Sequence, residues 1–314
     1  MSSFASGYIK YVNHLEQINE AAISNPKKMI SEVEDSYHEH IKTIANNIIT
    51  HKNNVRICML AGPSSSGKTT TANYLCKYLE ELGKKAKLIS LDDFYINPDK
   101  IPLRQDGTKD FETVNALNVN AVENCINDIV NGKPYTVPKF DFEIKKSLKG
   151  ETYPFEENQI IVMEGLHGLN PIFTKNIDES SMVKLYVSVK QPIKDANGEM
   201  ISHHDIRLIR RIVRDIKFRN TSAQETLSMW QGVMDGDDKY IRPYRLSADY
   251  TVNSIHLYED CVLRNIAIPL LREIPSDSLY YRQARALEAK LMRFESIDVS
   301  LVPINSVLRE FIGL

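Results

Sequence analysis

The pattern of apolar and polar positions predicts strands that alternate with helices over most of the chain. Short apolar runs of strand length lie at 55–61, 86–91, 159–163, 183–189 and 250–253. Segments with the periodicity of helices lie at 68–82, 119–130 and 203–217, and further helices follow to the end. This alternation predicts an α/β fold with a doubly wound parallel sheet flanked by helices.

Two segments depart from this alternation. Near the N-terminus, apolar residues recur at steps of three and four, which predicts an amphipathic helix with Ser31 as its N-cap. The members of this apolar stripe are Ile30, Val33, Tyr37, Ile41, Ile44 and Ile48. Residues 135–156 instead alternate and contain Lys149-Gly150, which predicts a β-hairpin attached to the main sheet, with its turn at that dipeptide.

These elements suggest three parts: an N-terminal helical extension over 1–50, a main domain over 51–272 and a C-terminal helical tail over 273–314. Net charge is −2, so a general nucleic-acid partner is not expected, because phosphate-backbone affinity needs a basic surplus. No apolar run reaches the ~20 residues of a membrane span. We expect no secretory signal in the first residues and a cytoplasmic protein, and a homo-oligomer stays open.

The four cysteines show no paired spacing of the kind that binds metals. They are Cys58, Cys76, Cys125 and Cys261. Cys58 and Cys76 lie in apolar patterns and are predicted to be buried thiols. A reducing compartment fits this usage.

A glycine-flanked loop follows the first apolar run and fits the pattern G-x-x-x-x-G-K-[ST]. Its residues are Gly62, Pro63, Ser64, Ser65, Ser66, Gly67, Lys68 and Thr69, followed by Thr70. In such a loop, backbone N–H groups surround phosphate oxygens, the lysine reaches the terminal phosphates and the hydroxyl ligates Mg²⁺. An accidental glycine turn is the alternative, but a strand before the loop and a helix after it favour ATP and Mg²⁺ binding.

Acidic residues follow two predicted strands. Asp92 and Asp93 come after the strand at 86–91, and Glu164 ends the strand at 159–163. Strand ends of this kind face the ligand crevice of an open α/β sheet. One of the two aspartates could accept the proton of an attacking hydroxyl, and Glu164 could anchor Mg²⁺. Turn or cap acids, and a surface acid at Glu164, are the alternatives.

Arginines form a stripe along the predicted helix at 203–217. They are Arg207, Arg210, Arg211 and Arg214, with Arg219 just after. Planar guanidiniums suit phosphate oxygens, which favours a phosphate-binding lid over about 195–222. The alternatives are a solvated face paired with Asp205 and Asp215, or an RNA-binding stripe. His203 and His204 follow Ser202, a predicted N-cap, and are expected to be structural or solvent-exposed rather than catalytic.

Together these motifs resemble the uridine kinase and phosphoribulokinase family of P-loop kinases. The segments that carry the resemblance are GPSSSGKTT, LISLDDFY, FDF, IIVMEG and RLIRRIVRDIKFR, in the family's order. KDFETVNALN, SAQETLSMW, KYIRPY and NSVLREFIG are similar to a bacterial uridine-kinase-like branch that is often fused to threonyl-tRNA-synthetase-like domains. The resemblance extends from about residue 10 to the end.

The resemblance implies roles for individual residues. Asp92 would be the general base and a third candidate metal ligand beside Thr69 and Glu164. Lys68, Arg214 and Arg219 would be catalytic cations. The implied substrate-contacting residues are Asp93, Tyr95, Glu112, Asn115, Phe140, Phe142, Lys145 and Arg211.

The chain differs from family uridine kinases on the side of the nucleobase. Lys145 stands where those enzymes carry a histidine, Met229 replaces a glutamine, and Thr221 replaces a second lid arginine. An aspartate that holds the ribose hydroxyls aligns near Asn115, with Glu112 close by. These differences predict weak use of uridine.

The resulting hypothesis is an ATP- and Mg²⁺-dependent kinase that phosphorylates a hydroxyl of a nucleoside or similar ribose-containing molecule, with the hairpin as acceptor subdomain. Two alternatives stay open. One is a kinase of a non-nucleoside sugar or sugar phosphate. The other is an ATP-binding regulatory or RNA-associated protein without kinase activity, against which the retained Asp92 argues.

Overall fold

A computed structural model describes residues 13–51, 54–104 and 107–314. Residues 1–12, 52–53 and 105–106 lie outside the described residues, so the expectations for the first residues are not addressed. The strands are β1 (Asn13–His14), β2 (Ile57–Ala61), β3 (Lys85–Ser90), β4 (Tyr135–Asp141), β5 (Lys146–Tyr153), β6 (Gln159–Glu164), β7 (Met182–Ser188), β8 (Ile193–Lys194), β9 (Met200–Ile201) and β10 (Tyr250–Asn253). The helices are α1 (Leu15–Ser24), α2 (Pro26–His51), α3 (Lys68–Glu81), α4 (Val119–Val130), α5 (Pro171–Thr174), α6 (His203–Arg219), α7 (Ala223–Gly236), α8 (Glu259–Arg272), α9 (Tyr281–Leu291) and α10 (Arg309–Ile312).

The described chain divides into two compact units. One, called the sheet unit, comprises the described part of residues 38–188 together with 231–252. The other, called the arginine-helix unit, comprises the described part of residues 1–37 together with 189–230 and 253–314. The three-part division expected from the sequence stays a prediction. Among the described residues, no helix is long and apolar enough to cross a bilayer.

The sheet unit is built on a five-stranded sheet in the order β10-β7-β2-β6-β3. Strand β2 pairs parallel with both β6 and β7, and β3 pairs parallel with β6. The expected α/β architecture is therefore confirmed. Strands β2 and β6 are buried at every position, which explains why they are continuous apolar runs rather than alternating ones. Because β2, β6 and β3 are neighbours, their carboxyl ends meet at one edge of the sheet.

The hairpin differs from its prediction in two respects. Strands β4 and β5 pair only with each other, as a separate two-stranded sheet, rather than with the main sheet. Its turn lies at 142–145, where Asp141 Oδ1 accepts from the backbone N–H groups of Glu143 and Ile144. Gly150 lies within β5, and a Cβ there would come 2.7 Å from the carbonyl oxygen of Val137. The glycine thus permits close strand approach at an irregularity in the pairing rather than forming the turn.

The N-terminal helix α2 also begins earlier than expected. It starts at Pro26, and the side chain of Asn25 accepts from the backbone N–H of Lys28. The predicted N-cap Ser31 is wrong: it lies inside the helix, where its hydroxyl donates to Asp35 Oδ2 at 3.2 Å. A proline is well tolerated in the first turn of a helix, because no N–H is required there. The predicted apolar stripe is buried apart from the half-buried Val33.

Within the arginine-helix unit, β1, β8 and β9 form a three-stranded sheet, and α6 packs with α8 and α10. Ser202 caps α6 as expected, in a capping box with Asp205. Of the two thiols predicted to be buried, Cys58 is buried and Cys76 is half-buried. Burial raises the pKa of Cys76 to about 12, with a smaller contribution from the nearby Glu80 carboxylate, so this thiol stays protonated.

Candidate active site

The loop between β2 and α3 has the backbone shape of a phosphate-binding loop. Ser65 and Gly67 both adopt positive φ, at 59° and 80°, which turns successive N–H groups toward one side. At Gly62 a Cβ would lie 2.1 Å from the carbonyl oxygen of Val187, so no side chain fits there. Helix α3 begins at Lys68, and its N-terminus therefore adds partial positive charge at the loop.

The next feature is a cluster of oxygen atoms at the carboxyl ends of β3 and β6. Thr69 Oγ1 donates to Glu164 Oε1 at 3.1 Å, and Ser90 Oγ donates to the same oxygen at 3.3 Å. Glu164 is only 5% exposed, which rules out the alternative of a surface acid. Lys68 lies in the same loop as Thr69, and its ammonium donates to the carbonyl of Pro63 at 3.1 Å.

The two aspartates after β3 differ in their surroundings. Both lie in a 3-10 turn, Leu91–Phe94, rather than at the end of the strand, and Ser90 caps this turn by accepting from Asp92 N. Asp92 is exposed, whereas Asp93 is half-buried. Burial raises the pKa of Asp93, and an N–H from Phe140 and the Lys139 ammonium oppose that rise. Asp93 thus faces the hairpin, and Asp92 is the carboxylate that is accessible to a ligand.

Three residues predicted to contact the acceptor substrate, Tyr95, Phe140 and Phe142, lie together and form an aromatic cluster. The Phe140 and Phe142 ring centroids are 4.9 Å apart, and Tyr95 lies 5.8 Å from Phe140 and 6.4 Å from Phe142. Phe140 is buried, but Phe142 is 60% exposed at the turn of the hairpin. Lys145 is exposed in the same turn and has a positive φ of 52°. The cluster therefore offers an aromatic surface on which a ring could stack.

Glu112 lies in a further segment of the sheet unit, residues 110–113, beside the aromatic cluster. The hydroxyl of Tyr95 donates to the carbonyl of Phe111 at 3.1 Å, which joins this segment to the cluster. Glu112 is half-buried, and Asn115 is exposed in the following 3-10 turn.

The arginines of α6 divide into two groups. Arg207 and Arg210 are buried: Arg207 lies over the ring of Trp230, and Arg210 pairs with Glu259 at 2.5 Å. The other three converge on the buried carboxylate of Asp215, at 3.2 Å for Arg211, 2.9 Å for Arg214 and 3.5 Å for Arg219. A solvated face is therefore excluded for Arg207, Arg210 and Arg211, whereas Arg219 is exposed, and the pairing with Asp215 expected for such a face is present. Asp205 caps the helix and pairs with Lys290, not with the arginines.

The oxygen cluster fits a hard divalent cation, because hydroxyl and carboxylate oxygens are the ligands that Mg²⁺ prefers. Among the described residues, no group of three or more His, Cys, Asp or Glu side chains could hold a metal alone. Mg²⁺ would therefore take its remaining ligands from phosphate oxygens and water, as is usual when it accompanies a nucleotide. The positive φ angles at Ser65 and Gly67 likewise fit a polyphosphate.

Comparison with known proteins matches residues 57–258 to the model of the phosphoribulokinase / uridine kinase family. The chain belongs to this family. A uridine-cytidine kinase B of Dictyostelium discoideum is 28% identical over 213 residues, which cover 68% of this chain and 80% of that protein. A uridine kinase of Staphylococcus haemolyticus is 28% identical over 200 residues, covering 63% of this chain and 87% of that one.

The family assignment makes this chain a P-loop kinase, and kinases of this family use ATP. Among solved structures, a possible uridine kinase from Bacillus stearothermophilus is similar at a TM-score of 0.47 and 18% identity, covering 68% of this chain and 97% of that one. A putative fructose transport system kinase from Silicibacter is similar at a TM-score of 0.49 and 16% identity, covering 67% and 98%.

Two residues of the site are absent from the sequence-based interpretation. Ser90 is the last residue of β3, and a polar residue at a strand end was the available signal for it. His167 lies three residues after Glu164 and is 4% exposed. Burial lowers the pKa of His167 to about 4, although the Glu112 and Thr113 backbone and Asp110 partly oppose this, so the imidazole is neutral near pH 7. A lone histidine after a strand gives no signal of such burial.

Proposed function

We propose that this kinase transfers the γ-phosphate of ATP to a hydroxyl of a nucleoside or a similar ribose-containing small molecule. The observation that carries the proposal is the placement of Asp92. It is an exposed carboxylate in the 3-10 turn that directly follows β3, and Ser90, two residues before it, shares Glu164 with Thr69 of the phosphate-binding loop. An ATP-dependent switch needs no such carboxylate, whereas a kinase of alcohols needs a group that accepts a proton.

Each residue of the site has a defined task in this reaction. Lys68 and the loop backbone bind the phosphates, and Thr69 and Glu164 hold Mg²⁺, with Asp92 as a third candidate ligand. When bound, Mg²⁺ neutralises charge on the phosphate oxygens. Asp92 accepts the proton of the attacking hydroxyl. Arg214 and Arg219 are proposed as catalytic cations and Arg211 as a substrate ligand, all three held by Asp215.

The acceptor is proposed to lie against the aromatic cluster. Stacking on Tyr95, Phe140 and Phe142 tolerates different bases, because every base has an aromatic face. Asp93 accepts from the N–H of Phe140 and so ties the hairpin to the turn that carries Asp92. The distance between acceptor hydroxyl and base is therefore controlled by the fit of the hairpin on this turn.

One observation favours a second candidate acceptor, a sugar phosphate. Lys145, Lys146 and Lys149 are all exposed on the hairpin. Cations at this place favour an acceptor that bears an anionic group, and a neutral nucleoside does not need them.

A screen of ADP release across nucleosides, sugars and sugar phosphates tests the proposal. With the best acceptor, Asp92→Asn should lower kcat by about two to four orders of magnitude, the usual contribution of a positioned base. ATP affinity should be retained, because Lys68 and Thr69 are unchanged. Asp99→Asn is the matched control, since Asp99 is an exposed acid in the next 3-10 turn.

The outcomes separate the alternatives. Equal transfer rates in wild type and Asp92→Asn would overturn the assigned base. Tight ATP binding without transfer to any acceptor would support the alternative of a regulatory ATP-binding protein.

A further inference from the structure

A five-residue π-helical turn, Asp237–Ile241, follows α7 directly within the sheet unit. Such turns are rare and are frequent at functional sites. It belongs to the segment 236–241, called here the π turn, which begins at Gly236 and contains Tyr240. None of these residues takes part in the chemistry assigned above, yet the π turn contacts the 110–113 segment that carries the predicted substrate residue Glu112.

The first contact is a hydrogen bond from Tyr240. Its hydroxyl donates to Asp110 Oδ2 at 2.9 Å. The other oxygen of the same carboxylate accepts from the backbone N–H of Glu112 at 3.2 Å and pairs with Arg104 at 3.4 Å. Asp110 is thus the junction through which Tyr240 and Arg104 hold the backbone of Glu112.

The second contact is steric and independent of the first. A Cβ built on Gly236 would lie 2.6 Å from the Cβ of Glu112. One turn earlier in α7, a Cβ on Gly232 would lie 2.6 Å from an Nη of Arg104. Both glycines therefore leave room for the same two residues that Asp110 joins, and any side chain at position 236 would push on Glu112 itself.

Two further residues, His167 and Lys239, lie near the hydrogen bond between Tyr240 and Asp110. The ring of His167 lies edge-on to Tyr240, at 6.3 Å between centroids. Because this buried imidazole is neutral near pH 7, it does not compete with Arg104 for the carboxylate. Lys239 forms a side-chain hydrogen bond with Tyr240, which raises the pKa of Lys239, and the charge of Asp110 adds a smaller contribution in the same direction.

We propose that Tyr240, Gly236 and Asp110 are positioning residues for the acceptor: they fix the 110–113 segment so that Glu112 binds the acceptor's hydroxyl groups. The inference rests on the proposed function for the role of Glu112. Tyr240 and Asp110 act through Glu112 and do not touch ATP. Their loss therefore weakens acceptor binding and leaves ATP binding unchanged.

Tyr240→Phe is the decisive variant, because it removes only the hydroxyl that donates to Asp110. The KM for the best acceptor should rise about tenfold, the value of one hydrogen bond to a charged group. The kcat and the KM for ATP should stay within about twofold. Tyr244→Phe is the matched control, a neighbouring partly buried tyrosine in the same apolar cluster. Gly236→Ala should raise the same KM through the steric route.

A second measurement keeps the inference separate from the proposed function. Hydrogen exchange of the Glu112 amide, which donates to Asp110, should accelerate in Tyr240→Phe and not in Tyr244→Phe. If no acceptor is found, the proposed function fails, while the exchange result still decides whether Tyr240 fixes the segment. Unchanged exchange, or a rise in the KM for ATP equal to that for the acceptor, would overturn the inference.

Discussion

The hydroxyl of Thr69 donates to the carboxylate of Glu164 across 3.1 Å, although the two residues are 95 positions apart in the chain. Thr69 lies in the first turn of helix α3, and Glu164 ends strand β6. The bond exists because β2 and β6 are parallel neighbours, so that the loop after β2 and the last residue of β6 reach the same edge. This hydrogen bond holds Thr69 and Glu164, the two proposed Mg²⁺ ligands, in place before Mg²⁺ or ATP binds.

Replacement of Glu164 by glutamine tests this pair directly. The amide keeps a hydrogen-bond acceptor for Thr69 but loses the negative charge that favours a cation. The Mg²⁺ concentration for half-maximal turnover should rise about ten- to a hundredfold, the cost typical of altering a metal site. Glu157→Gln, at an exposed position just before β6, is the control. An unchanged Mg²⁺ requirement would exclude Glu164 as a ligand.

Lys68→Ala should abolish ATP turnover with any acceptor while the fold is retained. The ammonium of Lys68 contacts only the Pro63 carbonyl among the hydrogen bonds described, so its removal leaves no hole in the core. Turnover and the thermal midpoint of unfolding should be measured together, with Lys77→Ala on the exposed face of α3 as control. Near-normal turnover in Lys68→Ala would contradict the assignment of the phosphate-binding loop.

His167 should make the protein less stable in mild acid. Its pKa is about 4 in the folded state, below the ordinary value of 6.5. Between these values the unfolded chain binds a proton that the folded chain does not, so stability falls as pH drops from 6.5 toward 4. The free energy of unfolding should fall by about 2 kcal/mol between pH 7 and pH 5 from this group.

In His167→Gln this part of the pH dependence should disappear. Urea unfolding at the two pH values measures it, with His40→Gln at an exposed histidine as control. Equal slopes in wild type and His167→Gln would show that His167 has the same pKa in the folded and unfolded chains, which would contradict the lowered pKa.

Uridine and cytidine should be poor acceptors, with kcat/KM at least about tenfold below the best acceptor. Lys145 offers donors only, and Met229 offers a weak thioether acceptor, so neither reproduces the histidine and glutamine of family uridine kinases. Lys145 is also exposed on the hairpin turn, where it can meet an anionic group. A steady-state comparison decides the matter, and uridine emerging as the best acceptor by a wide margin would contradict it.

The parts of the site that follow strands could be predicted from the sequence. The phosphate-binding loop and Glu164 lie next to fully buried strands, whose continuous apolar runs are distinctive. Helix α4 was predicted with its observed ends, Val119–Val130, because Asn131-Gly132 is a strong stop signal.

The hairpin turn could not be placed in this way. Alternation continues through Phe142 and Ile144 into the turn, and Lys149-Gly150 has the composition of one. The structure forms the turn earlier because Asp141 bonds two backbone N–H groups and Lys145 adopts positive φ. The partners of the arginines could be predicted only in part. Asp215 is the predicted partner in one alternative, but the burial of Arg207 and Arg210 depends on Trp230 and Glu259, which are distant in the chain.

The hairpin shares no strand pairing with the five-stranded sheet. Residues can therefore be exchanged, added or removed at its tip, 142–145, without changing the register of β2, β3 or β6. The side chains that contact the acceptor and the side chains that bind phosphate can therefore change at different evolutionary rates. Descendants of one gene can change the molecule they phosphorylate and still inherit the same machinery for using ATP.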